Sequence, residues 1–181
     1  MGKFFTTLQA SHITFIKKQR MFFTASAPLS DQGHVNLSPK GSDCFRVLSE
    51  SRVAYMDLIG SGNETSAHIL ENGRLTFMFC AFEGPPRILR LYCTGITVLP
   101  DNTLWEELSK NFHLQKGTRQ IILADVYEVQ TSCGFSVPLY NYAGERTHAQ
   151  DWANKKGYDG LEQYKKEKNR LSIDNLPTSL F

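Results

Sequence analysis

Six runs rich in β-branched, aromatic and aliphatic residues, at 19–27, 33–39, 52–58, 74–82, 88–98 and 119–131, dominate the chain. Such residues fit a pleated, half-buried surface. The runs are punctuated by turn chemistry: Pro28 through Gly33 separates the first two, and Glu83-Gly84-Pro85-Pro86 separates the fourth and fifth, so each pair reads as a hairpin. Helical spacing appears only at the ends and in two insertions. There is no regular alternation of strand and helix of the kind that builds βαβ units. The pattern predicts a mainly β fold with α additions, a six-stranded Greek-key barrel.

Phe4, Leu8, Ile13, Phe15 and Ile16 mark an opening helix that ends in Lys17, Lys18 and Arg20, cations suited to a helix C-terminus. Thr103 and Glu106 have capping-box spacing ahead of Leu104, Leu108 and Phe112, which predicts a helix over 102–113. From His148 the composition turns to Lys, Glu, Gln and Tyr, predicting two short helices and an extended end lying over the barrel. At 181 residues the chain exceeds a common domain size of about 100 to 150 without reaching two comfortable ones. One domain over 1–181 is expected, with its core at about 1–132 and a tail at about 133–181.

Lysine and arginine nearly balance the acids, for a net charge of +2, so no field over the whole molecule recruits nucleic acid or anionic lipid. No stretch approaches the roughly 20 apolar residues of a membrane span, and a cytoplasmic protein is expected. The four cysteines are widely spaced and form no C-x-x-C pair. Cys80 and Cys93 either meet across a hairpin or are two small buried thiols. The five histidines show no metal-ligand spacing, and no serine sits in a G-x-S-x-G elbow. The basic run Lys165, Lys166, Lys168 and Arg170 is interspersed with acids, as on a solvated helix face.

Two places can hold an anion. Asn36, Ser38 and Lys40 recur with period two, which puts an amide, a hydroxyl and an ammonium on one side of a strand. They form either one jaw of a phosphate site or the wet face of an edge strand that Pro39 ends. Gly60-Ser61-Gly62-Asn63-Glu64-Thr65-Ser66 then leads into a short apolar stretch closed by Asn72-Gly73. A loop entering a helix presents free N–H groups, and Asn63, Thr65 or Ser66 either caps that helix or contacts an anion.

Taken in order, Phe22 to Ala27, Val35-Asn36-Leu37-Ser38-Pro39-Lys40-Gly41, Ala54 to Leu58, Gly62-Asn63-Glu64-Thr65 through Arg74, and Phe77-Met78-Phe79 resemble the pyridoxamine 5′-phosphate oxidase-like split-barrel family. The likeness covers roughly 1–132. Cys133 to Pro138 and Ser172-Ile173-Asp174 resemble the C-terminal part of one uncharacterised branch. The resemblance implies a split barrel, a homodimer and FMN in two clefts between subunits, acting on a small-molecule substrate as an oxidoreductase. Ser38 and Lys40 would then form one phosphate jaw and Asn63, Thr65 and Ser66 the other. Asp57 would contact the cofactor or pair with a basic neighbour, and Arg146 and Trp152 would reach across the dimer cleft. Better-known members carry an Arg-Lys pair where this chain has Glu64-Thr65, and a carboxylate there repels phosphate. The alternatives are therefore a deazaflavin or haem in the same barrel, or a binding protein without turnover. No catalytic residue is assigned.

Overall fold

A computed structural model describes residues 2–181; Met1, at the head of the expected core, lies outside the described residues. The strands are β1 (Lys3–Phe5), β2 (Phe22–Ser26), β3 (Asn36–Lys40), β4 (Phe45–Ser49), β5 (Arg52–Leu58), β6 (Arg74–Cys80), β7 (Ile88–Val98) and β8 (Thr118–Ser132). The helices are α1 (Ala10–Lys18), α2 (Glu64–Asn72), α3 (Trp105–Ser109) and α4 (His148–Lys168). All strand pairings are antiparallel, in the order β3-β2-β6-β7-β8-β5-β4, and β1 pairs with the far end of β8. Both predicted hairpins form, β2 with β3 and β6 with β7.

The sheet has eight strands where six were expected. Phe4, read as the start of a helix, instead pairs with Gln130 in β1, and α1 begins after Gln9, whose N–H donates to His12 Nδ1 at 3.1 Å. The second addition, β4, opposes the start of β5 through a bulge between Val47 and Ser49, and the mixed polarity of Phe45-Arg46-Val47-Leu48-Ser49 hid it. α3 is shorter than the predicted 102–113. Its box does not form: the helix begins after Leu104 with no side-chain cap, and Asn102 Oδ1 accepts the Leu104 N–H. α4 contains the two expected helices, joined at Gly157 with φ of 70°.

Side chains at opposite ends of the strand order touch, so the sheet curls on itself. Phe22 on β2 meets Phe45 on β4 with ring centroids 4.8 Å apart, and Phe77 and Phe79 on β6 stack into the same cluster. Val53 to Asp57 of β5 is buried throughout. Pro39 cannot donate to a ladder and therefore belongs on an edge, which is where β3 lies. Gly95 on β7 lets α2 approach: a Cβ there would lie 3.1 Å from Ile69 Cδ1. Cys80 and Cys93 oppose Ile88 and Leu75, five rungs apart, and all four cysteines are free thiols. No helix among the described residues is long and apolar enough to cross a membrane.

Candidate functional site

Curling brings the edge strand β3 against the start of α2. The polar period of β3 points inward, with Asn36, Ser38 and Lys40 half-buried while Leu37 and Pro39 are exposed. Asn36 Nδ2 donates to Thr65 Oγ1 at 3.0 Å and to Ser26 Oγ at 3.1 Å, and Ser38 Oγ donates to Asn36 Oδ1 at 2.9 Å. The two segments picked out from sequence are thus in direct contact. Ser26 Oγ also lies 3.0 Å from Nδ1 of His68, which is fully buried on α2. Burial holds the His68 imidazole below its usual pKa, although Glu64 and Asp174 pull the other way.

Beside this lies a buried charge cluster. Asp57 is 2% exposed; its Oδ1 accepts from Lys40 Nζ at 2.8 Å and its Oδ2 from Arg119 Nε and Gln120 Nε2, both at 2.8 Å. Burial opposes ionisation of Asp57, but Arg119 and Lys40 outweigh it and hold the carboxyl well below the usual carboxylate range. Two cations against one carboxylate leave the cluster net positive. Arg119 Nη1 also donates to Gly62 O at 2.8 Å, and Gln120 Nε2 donates to Asn63 Oδ1 at 2.8 Å, so the opening of β8 fixes the loop that feeds α2.

Four buried polar atoms of this region have no hydrogen-bond partner among the described residues: Tyr55 Oη, Asn63 Nδ2, His68 Nε2 and Gln120 Oε1. Buried polar groups are normally satisfied, so unpaired atoms beside a positive cluster call for a further polar partner. Asn63 occupies the N-cap position of α2, but its side chain makes no capping bond. It is buried and faces Gln120.

The tail supplies the remaining wall. Glu64 Oε2 accepts the Ile173 N–H at 3.0 Å, and Ser66 Oγ accepts the Ser179 N–H at 3.1 Å and the Thr97 hydroxyl at 3.4 Å. Asp174 binds the His34 imidazole at 2.6 Å, and Asn169 Nδ2 donates to Gly60 O at 3.0 Å. Glu64 is therefore engaged with the chain's own tail. Ser66, expected in a jaw, is completely buried beneath that tail.

Of the nine residues singled out from sequence, Asn36, Ser38, Lys40, Asp57, Asn63 and Thr65 gather in this network, with Ser66 behind it. Arg146 and Trp152 do not join it. Arg146 is exposed in the extended segment before α4, and Trp152 packs edge-on to Tyr164 at 5.0 Å. Sequence reading missed Ser26, His68, Arg119 and Gln120. The available signal was Arg119-Gln120 directly ahead of the apolar run Ile121-Ile122-Leu123-Ala124, since polar residues at such a position are either exposed or paired inside.

The residues present fit the phosphate of a flavin in their chemistry: a net positive cluster and an unpaired Asn63 amide donor lie at the start of an α-helix, where anions are favoured. Ser38, Lys40, Asn63 and Thr65 are the side chains that would hold it.

No family model matches the chain. It is 43% identical over 143 residues to the pyridoxamine 5′-phosphate oxidase family protein ustO of Aspergillus flavus, a match covering 77% of this chain and 57% of that protein. The chain thus spans somewhat over half the length of that curated relative. Among solved structures, a single-substitution variant of HupZ from Group A Streptococcus superposes with a TM-score of 0.55 at 15% identity, covering 69% of this chain and 99% of that one. A provisionally named pyridoxamine 5′-phosphate oxidase of Lactobacillus delbrueckii superposes with a TM-score of 0.53 at 13% identity, covering 69% and 94%. The structural matches establish the split-barrel fold, and with the 43% identity to a named member the chain belongs to the pyridoxamine 5′-phosphate oxidase family.

Proposed function

We propose that this protein binds FMN by its phosphate at the junction of β3 and α2 and works as a flavin-dependent oxidoreductase on a small-molecule substrate. The observation that carries the reading is the contact of the two anion-competent segments, Asn36 on Thr65 at 3.0 Å, beside a net positive cluster with an unpaired amide donor. A bound flavin supplies the hydride-accepting ring. This chain's residues bind and orient: Lys40 and Ser38 approach the anion from the strand, while Asn63 and Thr65 approach from the helix start. Asp57 sets the position of Lys40 and Arg119 and does not touch the reacting atoms.

We expect the working unit to be a homodimer. Val35 and Leu37 stand 74% and 63% exposed next to and on the unpaired edge β3, and Phe135 is 80% exposed in the segment after β8. Exposed apolar side chains of this size on an open edge call for a cover. Arg146 and Trp152, remote from the network in one protomer, are the side chains this reading takes from the second copy. The four free thiols, three of them buried, suit a reducing cytoplasm.

A second reading, a binding protein for a flavin, deazaflavin or haem without turnover, is favoured by one feature. Every ionised group in the network is tied to another, and His68 is buried with its pKa lowered, which leaves no free general acid or base there.

The test is an absorption spectrum of the protein purified without added cofactor, then titration with FMN followed by quenching of flavin fluorescence, then a screen of reduced nicotinamides. Stoichiometric micromolar binding with bleaching by a donor is the expected result. Binding without reduction by any donor selects the second reading, and absence of FMN binding overturns the proposal.

A further inference from the structure

A cavity of about 950 Å³ is lined by the C-terminal half of α1, the 81–87 connection and the segment 140–143. None of its lining residues belongs to the β3–α2 network. Its volume falls within the range of about 300 to 1,000 Å³ usual for small-molecule sites. The outer wall is fastened in place. Tyr140 N–H donates to Phe82 O at 2.9 Å, Tyr142 N–H donates to Glu83 Oε1 at 3.2 Å, and the Tyr140 and Phe82 rings lie 5.6 Å apart.

Lys17, Lys18, Arg20 and Arg87 line this cavity against Glu83, its one acidic residue. None of these four cations makes an ion pair among the described residues. The two arginines lie over aromatic faces instead, Arg20 at 4.9 Å from the Tyr142 ring centre and Arg87 at 5.5 Å from that of Phe15. Lys17 and Lys18 complement the negative end of α1. That does not account for Arg87, which comes from the far wall. Carboxylates and phosphates are the partners that guanidinium and ammonium groups converge on.

We propose that this cavity is a second binding site, for an organic anion. Its carboxylate or phosphate is held by the Lys17, Lys18, Arg20 and Arg87 group, and its planar apolar body lies against Phe15, Phe82 and Tyr140. The site does not depend on the flavin reading, because the two sites share no residue.

The experiment uses the whole chain, with and without FMN, and the fluorescent probes naphthoate and naphthyl phosphate, with naphthylmethanol as the neutral analogue. One saturable site per chain is expected for an anion, at least tenfold tighter than for naphthylmethanol and weakened by added salt. The naphthoate and naphthyl phosphate arms decide between carboxylate and phosphate. Lys18→Gln with Arg20→Gln, both exposed positions, should weaken the anion at least tenfold while leaving FMN affinity unchanged; Arg87→Gln should do the same, with thermal unfolding confirming that each variant is folded. No saturable binding of either anion, equal binding of the neutral analogue, or unchanged binding in folded Lys18→Gln/Arg20→Gln protein overturns the proposal. Failure of FMN to bind would leave it standing.

Discussion

Asp57→Asn removes one charge from a site where three are balanced against one another, and the cost follows from what stays behind. Arg119 is 4% exposed and Lys40 is 22% exposed. Lys40 can swing its ammonium into water when its partner is gone, whereas Arg119 cannot. Stranding a buried cation costs about 3 to 5 kcal/mol. The asparagine oxygen and Gly62 O still accept from the guanidinium, which places the expectation at the lower end, about 3 kcal/mol. For a chain of this length that corresponds to a fall in Tm of about 6 to 12 °C. Lys40→Ala leaves Asp57 with Arg119 and Gln120 and should cost about 1 kcal/mol. Adding Arg119→Met to Asp57→Asn removes the stranded charge, so the double variant should be more stable than the sum of the single effects. Urea unfolding with unchanged m-values, alongside thermal melts, measures all four proteins. If Asp57→Asn lies within about 0.5 kcal/mol of the parent, a change usual for surface substitutions, or if Lys40→Ala costs more than Asp57→Asn, then the carboxylate does not hold Arg119 in the way argued.

Ser38→Ala combined with Lys40→Ala should weaken FMN at least tenfold, about 1.4 kcal/mol, in the fluorescence titration; unchanged affinity removes both residues from the phosphate site. Stability should hold above pH about 6.5 and decline below it, because the unfolded chain takes up protons that buried His68 and His12, both with lowered pKa, refuse. A second decline should begin below pH about 4, where the unfolded Asp57 carboxyl protonates before the folded one, and His68→Gln should lessen only the first decline in melts run across pH. Of the four thiols, Cys133 alone is exposed and burial pushes that of Cys44 up to about 12, so Ellman's reagent should titrate one thiol quickly and the other three only after denaturant. Rapid reaction of two or more would show that the barrel opens more readily than its packing implies.

The barrel was legible because its strands carry their own evidence. Ile88 to Val98 and Arg74 to Cys80 are dense in β-branched, aliphatic and aromatic residues, and the Gly-Pro-Pro connection dictates their pairing. The inward period of Asn36, Ser38 and Lys40 was legible for the same reason, since side-chain alternation is a local property. β1 was not, because Phe4 and Phe5 are extended only through pairing with Gln130 and Val129, which lie more than a hundred residues away. Nor were the partners of Asp57. Gln120 faces Asp57 across the β5–β8 ladder with Arg119 beside it, and the curl of the sheet brings Lys40 in from β3, so every partner is set by long-range pairing. Local spacing names the groups that can bear charge, while long-range register decides which of them cancel.

Glu64 shows how much that distinction matters for function. From sequence it is a carboxylate in the first turn of a helix beside a phosphate site, and its effect on an anion reads as repulsion. In the fold its Oε2 receives the Ile173 N–H, while Ser66 of the same turn receives the Ser179 N–H, so the helix start and the tail share one set of hydrogen bonds. Anything that binds at the α2 N-terminus therefore acts on the tail, and by thermodynamic reciprocity the order of the tail acts on that binding. Lys40 and Arg119 outnumber Asp57 on the opposite side of the same loop, which offsets the Glu64 charge without a basic residue in the helix itself. The Arg-Lys pair of better-known members puts cations in the helix entrance itself, whereas here Lys40 and Arg119 balance Asp57 and Glu64 from the neighbouring strands. In this chain the positive charge sits on β3 and β8 and the helix entrance is left free to anchor the tail.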